Sequence, residues 1–285
     1  MQTDFSDLRR RLNKLQGGAP VGTLSYKGGK HAVDERGVFY RVQSLEEIER
    51  RRMFMQRAEG RKAAFTFNGM NMMKYVGSVL SAAQCGYLLT LSTYVNYSGQ
   101  LVRSERDHSP IKQVHMIELL GLKPSQKSTV SDFVAAALNY GIMTFDGSHY
   151  SIANELHFKG KAEGDVVRAY VTQLRSLAQN NKPEHIGFIY KLLPYVHKTS
   201  NVLCSDPNEL DFTRIQRLTR NELAAAANVK PTYVSKAAKA MTVDGLSVLA
   251  KITTAQGTFY MLNPTLFRRA DVNEYDAATR AIFGL

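Results

Sequence analysis

The feature that most constrains this chain is that it repeats itself. Set without gaps, GYLLTLSTYVNYSGQLV (Gly86–Val102) lies on GFIYKLLPYVHKTSNVL (Gly187–Leu203), so that Gly86 meets Gly187, Tyr94 meets Tyr195 and Val95 meets Val196. LKPSQKSTVSDFV (Leu122–Val134) falls on VKPTYVSKAAKAM (Val229–Met241). YSIANELHFKG (Tyr150–Gly160) falls on FYMLNPTLFRR (Phe259–Arg269), which sets Asn154 on Asn263, Phe158 on Phe267 and Lys159 on Arg268. Three collinear blocks with small insertions between them indicate a structural duplication. The fold must therefore be built from two like units, each the size of a small domain.

The second unit is the clearer one. PEHIGFIYKLLPYV opens with Pro183 and carries Ile186, Ile189, Tyr190 and Leu193 on one helical face. LTRNELAAAANV begins with Thr219 and has Glu222 three residues on, a capping box. A short turn leads to PTYVSKAAKAMTVDG, a helix expected to end at Gly245. LSVLAKIT and TFYML then read as a hairpin, with Phe259 and Met261 on one face and Tyr260 and Leu262 on the other. Helix, helix, turn, helix, hairpin is the winged helix-turn-helix plan. The first unit follows it: SPIKQVHMIELLGL and SQKSTVSDFVAAALNYG are the helix pair, and Asp146-Gly147 is a tight hairpin turn in the wing.

The expected fold class is mainly α with small β wings (α+β): two tandem winged helix-turn-helix domains plus a basic N-terminal extension. The boundaries are 1–69 for the extension, 70–160 for the first domain, 161–183 for a helical linker, 184–270 for the second domain and 271–285 for a C-terminal tail. The extension reads as a helix at SDLRRRLNKL, a Gly-rich loop, a strand at GVFYRV and an Arg-rich helix capped by Ser44 and Glu47.

Net charge is +12 with a pI near 9.6, which favours a polyanionic partner. The excess sits at the ends: residues 1–62 hold 14 Lys and Arg against 8 Asp and Glu, and residues 186–285 hold 12 against 8. Between Leu223 and Val243 there is no carboxylate. Lys230, Thr232, Tyr233, Ser235, Lys236 and Lys239 cluster there, at a helix N-terminus suited to phosphate. These are the main candidate DNA contacts. Ser125, Gln126, Lys127 and Thr129 are their counterparts in the less basic first unit. Arg268 and Arg269 at the wing exit, and Arg50, Arg51 and Arg52 in the extension, complete the candidate set as backbone contacts.

The stretch from LTRNELAAAANVKPTYVSKAAKAM to GTFYMLNPTLFRR resembles the C-terminal half of plasmid replication initiators of the Firmicutes RepL type, with regulators of the MarR class second. That resemblance implies a winged helix in which a wing strand ends in Asn-Pro and a basic residue, and a phage or plasmid DNA-binding protein.

No catalytic pattern emerges. The seven histidines form no H-x-H or H-E-x-x-H, and YKGGKHA lacks phosphate-loop spacing. No metal site or cofactor is expected, and Cys85 and Cys204 read as reduced structural thiols. No stretch approaches the roughly 18 apolar residues of a membrane span, and the charged N-terminus does not read as a secretory signal. The sequence thus points to a cytoplasmic, nucleoid- or replicon-associated, non-enzymatic protein that binds double-stranded DNA. It would regulate transcription or initiate replication. The alternative is an adaptor that binds host replication or transcription machinery. A homodimer is a further partner state left open.

Overall fold

A computed structural model describes residues 23, 25–26, 31–41, 64–104, 106–255, 257–269 and 275–285. The chain forms two compact units, 1–62 and 63–285. In the first, strands β1 (Ser25–Tyr26), β2 (His31–Val33) and β3 (Phe39–Arg41) make an antiparallel sheet. Buried Asp34 closes the β2–β3 turn by accepting from the backbone N–H groups of Arg36 and Val38. The expected helices at SDLRRRLNKL and SLEEIERRRMFMQRAEGRK, with the Ser44–Glu47 cap, lie outside the described residues.

The second unit is mixed α and β. Its order is β4 (Phe65–Gly69), α1 (Met70–Val79), α2 (Ala82–Leu91), α3 (Gln113–Leu119), α4 (Lys127–Asn139), β5 (Met143–Phe145), β6 (Tyr150–Ile152) and β7 (His157–Phe158). Then come β8 (Val166–Tyr170), α5 (Val171–Asn180), α6 (Pro183–Leu192), α7 (Arg220–Ala227), α8 (Pro231–Ala240), β9 (Thr242–Val243), β10 (Leu246–Ser247), β11 (Leu249–Thr254), β12 (Gly257–Leu262), β13 (Phe267–Arg268) and α9 (Ala277–Phe283). The second series repeats the first, element for element, apart from the small β9–β10 hairpin and the terminal α9.

The two halves are related by a pseudo-two-fold axis. The central sheet has the palindromic order β13-β8-β4-β7. Its middle pair, β4 and β8, is antiparallel with Phe67 opposite Arg168, residues 101 apart in sequence. Gly86 and Gly187, also 101 apart, meet where α2 and α6 cross. Among the described residues this is the most extensive helix contact. A Cβ on Gly86 would collide with the Pro183 carbonyl oxygen, and one on Gly187 with the Ala82 carbonyl oxygen. Glycine lets the backbones approach closely enough for the flanking Leu88, Leu89, Phe188 and Ile189 to be fully buried. The same axis relates two cation–π contacts across the seam, Arg175 over Tyr94 at 4.0 Å and Lys74 over Tyr195 at 5.6 Å. It also relates two backbone bonds, Val171 N–H to Ala64 and Met70 N–H to Asp165.

The repeat therefore begins before the quoted blocks, at β4 and β8. Residues 65–69, expected in the extension, form a central strand. Residues 161–183, expected as a helical linker, hold β8 and α5, which bury Val167, Ala169, Val171, Leu174 and Leu177. The last block also needs correction by one residue. Phe158 pairs with Phe67, and the residue that pairs with Arg168 is Arg268. Tyr150, Ile152, Leu156 and His157 thus correspond to Tyr260, Leu262, Leu266 and Phe267, all buried. Matching Asn154 to Asn263 had set inward residues against outward ones, since a one-residue slip exchanges the faces of a strand.

Local signals explain most ends. Ser81 and Gln84 form a capping box that separates α1 from α2. Thr219 and Glu222 cap α7, and Asn228 ends it in the left-handed region. Helix α8 stops at Ala240, five residues before Gly245. Asp244 and Gly245 both have positive φ and form the two-residue turn of the β9–β10 hairpin. In the first half the β5–β6 connection spans 146–149, with the Asp146 carboxylate accepting from the N–H groups of Ser148 and His149. The alternation expected along β12 places Tyr260 and Leu262 in the main core. Phe259 and Met261 face a smaller core with Val202, Ala250 and Phe283. The expected C-terminal tail thus supplies α9, which covers the outer face of the hairpin.

Candidate nucleic-acid interface

In the second half, α7, a three-residue turn and α8 are followed by the β11–β12 hairpin. Val234, Ala237 and Ala238 bury one face of α8. The opposite face exposes Thr232, Lys236 and Lys239, spaced i, i+4, i+7 and therefore aligned along the helix. Lys230, at the N-cap, is exposed too. No carboxylate lies on this stripe. Glu222, the nearest acidic residue before it in sequence, is turned to Thr219. Bonds from the Thr219 backbone N–H and hydroxyl hold it below the usual carboxylate range.

Two predicted contacts of α8 face elsewhere. Tyr233 is half-buried, with its ring edge-on to Phe188 at 5.3 Å and near His185 at 5.8 Å. Ser235 is also half-buried, and its hydroxyl bonds the Tyr260 phenol. They fall on opposite flanks of the stripe, Tyr233 against α6 and Ser235 against the hairpin, since at 100° per residue the two lie about 200° apart.

In the first half, Ser125, Gln126 and Lys127 are exposed at the start of α4 and Thr129 is half-buried. Gln126 is engaged locally, its side-chain oxygen accepting from the Lys123 N–H. The outer face of α4 continues with Asp132, Ala135 and Leu138, so it carries neither the charge nor the polarity of α8. Arg50, Arg51 and Arg52 lie outside the described residues.

The expectation that Arg268 and Arg269 are free to reach phosphate is corrected. Arg268 is 8% exposed, with its guanidinium 4.7 Å from the Tyr275 ring centre. The Arg269 side chain is 4% exposed. It donates to the carbonyls of Val196 and Pro207, to Asn208 Oδ1 and to Asp165 at 2.6 Å. Burial pulls this guanidinium below its usual range and Asp165 opposes that pull. The two arginines tie the hairpin exit to the central sheet and to the loop after the 3-10 turn at 193–195. They looked free in sequence because Asp165 lies 104 residues away and Tyr275 falls in the tail. Asp165→Ala is expected to lower stability by about 1–2 kcal/mol, since it leaves a buried guanidinium with only neutral acceptors while Asp165 itself is half-exposed. Thermal unfolding monitored by circular dichroism measures the loss.

Other chemistry is sparse. Both cysteines are buried, and burial pushes each thiol up to about 12, so neither is a ready nucleophile. Among the described residues no group of three His, Cys, Asp or Glu could hold a metal ion, and no helix is long and apolar enough to cross a membrane. No family model, curated protein or solved structure matches the chain.

Sequence reasoning missed a cleft of about 310 Å³ at the seam between the two halves, lined by Arg106, Lys159 and Arg175 together with Tyr94, Ser104 and Ala64. Arg175 donates to Thr93 Oγ1 and to the Thr93 carbonyl, which fixes its guanidinium on the Tyr94 ring. Extending the 101-residue offset upstream of Gly86 would have aligned Lys74 with Arg175 and pointed to this seam.

Proposed function

We propose that the chain is a non-enzymatic double-stranded DNA-binding protein of phage or plasmid type, a transcription regulator or replication initiator that works through tandem winged helices. The observation that carries this reading is the stripe of Thr232, Lys236 and Lys239 on α8. A helix with a buried apolar face, an exposed cationic face and no carboxylate, set behind a short turn and ahead of a hairpin, fits a major groove. Its lysines reach phosphates, and Thr232 reaches base edges near the helix N-terminus. The pseudo-two-fold gives one chain two such units. The second is the principal reader and the first, poorer in charge, is subordinate. Replication or transcription as the process rests on the resemblance to RepL-type initiators.

The test is Lys236→Ala combined with Lys239→Ala. Both residues are exposed and alanine is a strong helix former, so the fold is expected to be kept. Duplex affinity at moderate salt is expected to fall about tenfold or more, with a shallower dependence on salt concentration. Fluorescence polarisation on labelled duplexes from the encoding replicon gives the result; unchanged affinity removes α8 from the interface. A protein-interaction adaptor is the second reading, favoured by apolar side chains on the first half, Val114 at 65% exposure and Phe145 at 48%. It predicts no duplex binding at physiological salt.

A further inference from the structure

The pseudo-symmetry lets a face of one half be read against the same face of the other. The buried Val130, Phe133, Val134 and Ala137 of the first half match Val234, Ala237, Ala238 and Met241. That register sets Ser128, Asp132 and Ala135 on α4 in place of Thr232, Lys236 and Lys239 on α8. Lys112 and Thr219 are the N-caps of α3 and α7, which sets Val114 in place of Asn221. In the hairpins Phe145 pairs with Tyr150 and Lys251 with Tyr260, which sets Phe145 in place of Lys251. Each of these five first-half residues is exposed, as is its counterpart. Where the second half presents three lysines, the first therefore presents an aspartate, an alanine and a phenylalanine, with a valine beside them.

This first-half face is one connected surface. The Phe145 ring stacks on Tyr150 with centroids 4.5 Å apart. Gln113 Nε2 donates to the Tyr150 hydroxyl at 3.0 Å, and the Ser131 hydroxyl donates to Gln113 Oε1 at 3.4 Å. Hairpin, α3 and α4 are thereby tied together, so little freedom remains to be lost on docking. Exposed apolar side chains on such a frame, without the cations of its twin, suit a protein surface rather than phosphate. The surface that fits is a second copy of the chain. In a two-fold contact like meets like, so a cationic face repels itself and a near-neutral one does not. The chain carries a net charge of +12, yet residues 63–160 hold 7 Lys and Arg against 6 Asp and Glu. We propose that the face formed by α3, α4 and β5 is a self-association surface, through which two copies pair about a two-fold axis with Val114 and Phe145 as apolar anchors. The contact uses no residue of the α8 stripe, so the pair carries two such stripes related by the two-fold, the arrangement that reads a palindromic site. That consequence alone rests on the DNA-binding reading.

Two variants of the full chain test this. Val114→Asn with Phe145→Ser removes both anchors and leaves the charge unchanged. Val114→Asn, Asp132→Lys, Ala135→Lys and Phe145→Lys together copy the second half onto the face. Every substituted position is exposed, and thermal unfolding verifies that both variants fold. Sedimentation velocity over a concentration series, without nucleic acid, measures self-association. Wild type is expected to show a reversible monomer–dimer equilibrium. The neutral variant is expected to raise its dissociation constant about tenfold or more, and the fourfold variant about a hundredfold or more. Duplex binding is measured in parallel on the same proteins. A chain that dimerises but binds no duplex defeats the DNA-binding reading and leaves the surface standing. A wild type that is monomeric throughout the series overturns the proposal, as does a dimer that the neutral variant leaves intact.

Discussion

Gly187→Ala is expected to destabilise the second unit by about 3 kcal/mol or more, or to abolish its folding, although alanine is the better helix former. The reason is geometric. At the crossing of α2 and α6 an added methyl meets the Ala82 carbonyl oxygen, which is backbone and cannot rotate aside. Relief requires the two helices to separate, and that opens the core around Leu88, Leu89, Phe188 and Ile189. Gly86→Ala meets the Pro183 carbonyl and is expected to behave alike. Gly77→Ala in α1 is the control, because its added methyl finds only the Lys191 side chain, at 3.5 Å. It is expected to be neutral or to stabilise by about 0.5–1 kcal/mol through the loss of glycine's unfolded-state freedom. Urea unfolding of the three variants decides the matter. Equal stabilities for Gly77→Ala and Gly187→Ala would mean that the helices do not cross at the glycines.

That crossing was half legible in the sequence. The alignment put Gly86 on Gly187, but nothing in a linear repeat says that two copies pack against each other through the aligned residue. The helices were readable because capping and periodicity are local: Thr219 and Glu222 announce α7, and the Val234, Ala237, Ala238 face announces the buried side of α8. The strands β4 and β8 were not. Each is five residues long, and their pairing links segments about a hundred residues apart. The hairpin exit misled for the same reason. Arg268 and Arg269 read as free cations because their partners, Tyr275 and Asp165, come from opposite directions along the chain. The stripe of Thr232, Lys236 and Lys239 was legible because it needs only helix periodicity. The cleft of Arg106, Lys159 and Arg175 needs the fold, since it gathers residues from three separated segments.

The pseudo-symmetry also isolates an acid-sensitive element in the core. His157 is fully buried, and burial pushes its imidazole down to about 3. The Asn68 amide nitrogen donates to the carbonyls of Thr66 and Val167, which turns Oδ1 toward His157 Nδ1 at 2.6 Å. Nδ1 therefore carries the proton and Nε2 has no hydrogen-bond partner among the described residues, while the ring stands T-shaped to Tyr190 with centroids 5.8 Å apart. The corresponding residues across the axis are all apolar: Phe267 for His157, Ala169 for Asn68, Val167 for Thr66 and Leu89 for Tyr190. An imidazole with a folded pKa near 3 and an unfolded one near 6.5 binds more protons when unfolded. Its contribution to stability is complete above pH 6.5 and is lost as pH falls toward 3, with a limiting slope of about 1.4 kcal/mol per pH unit. The window from pH 6.5 to 5 separates it from carboxylates held low, such as Asp146 and Glu222, which act only at lower pH. About 2 kcal/mol is expected to be lost there. The double variant Asn68→Ala with His157→Phe copies the residues of the second half and is expected to flatten the curve across that window, whatever its stability at neutral pH. Parallel curves for wild type and variant would show that some other group, and not the buried imidazole, makes the fold acid-sensitive.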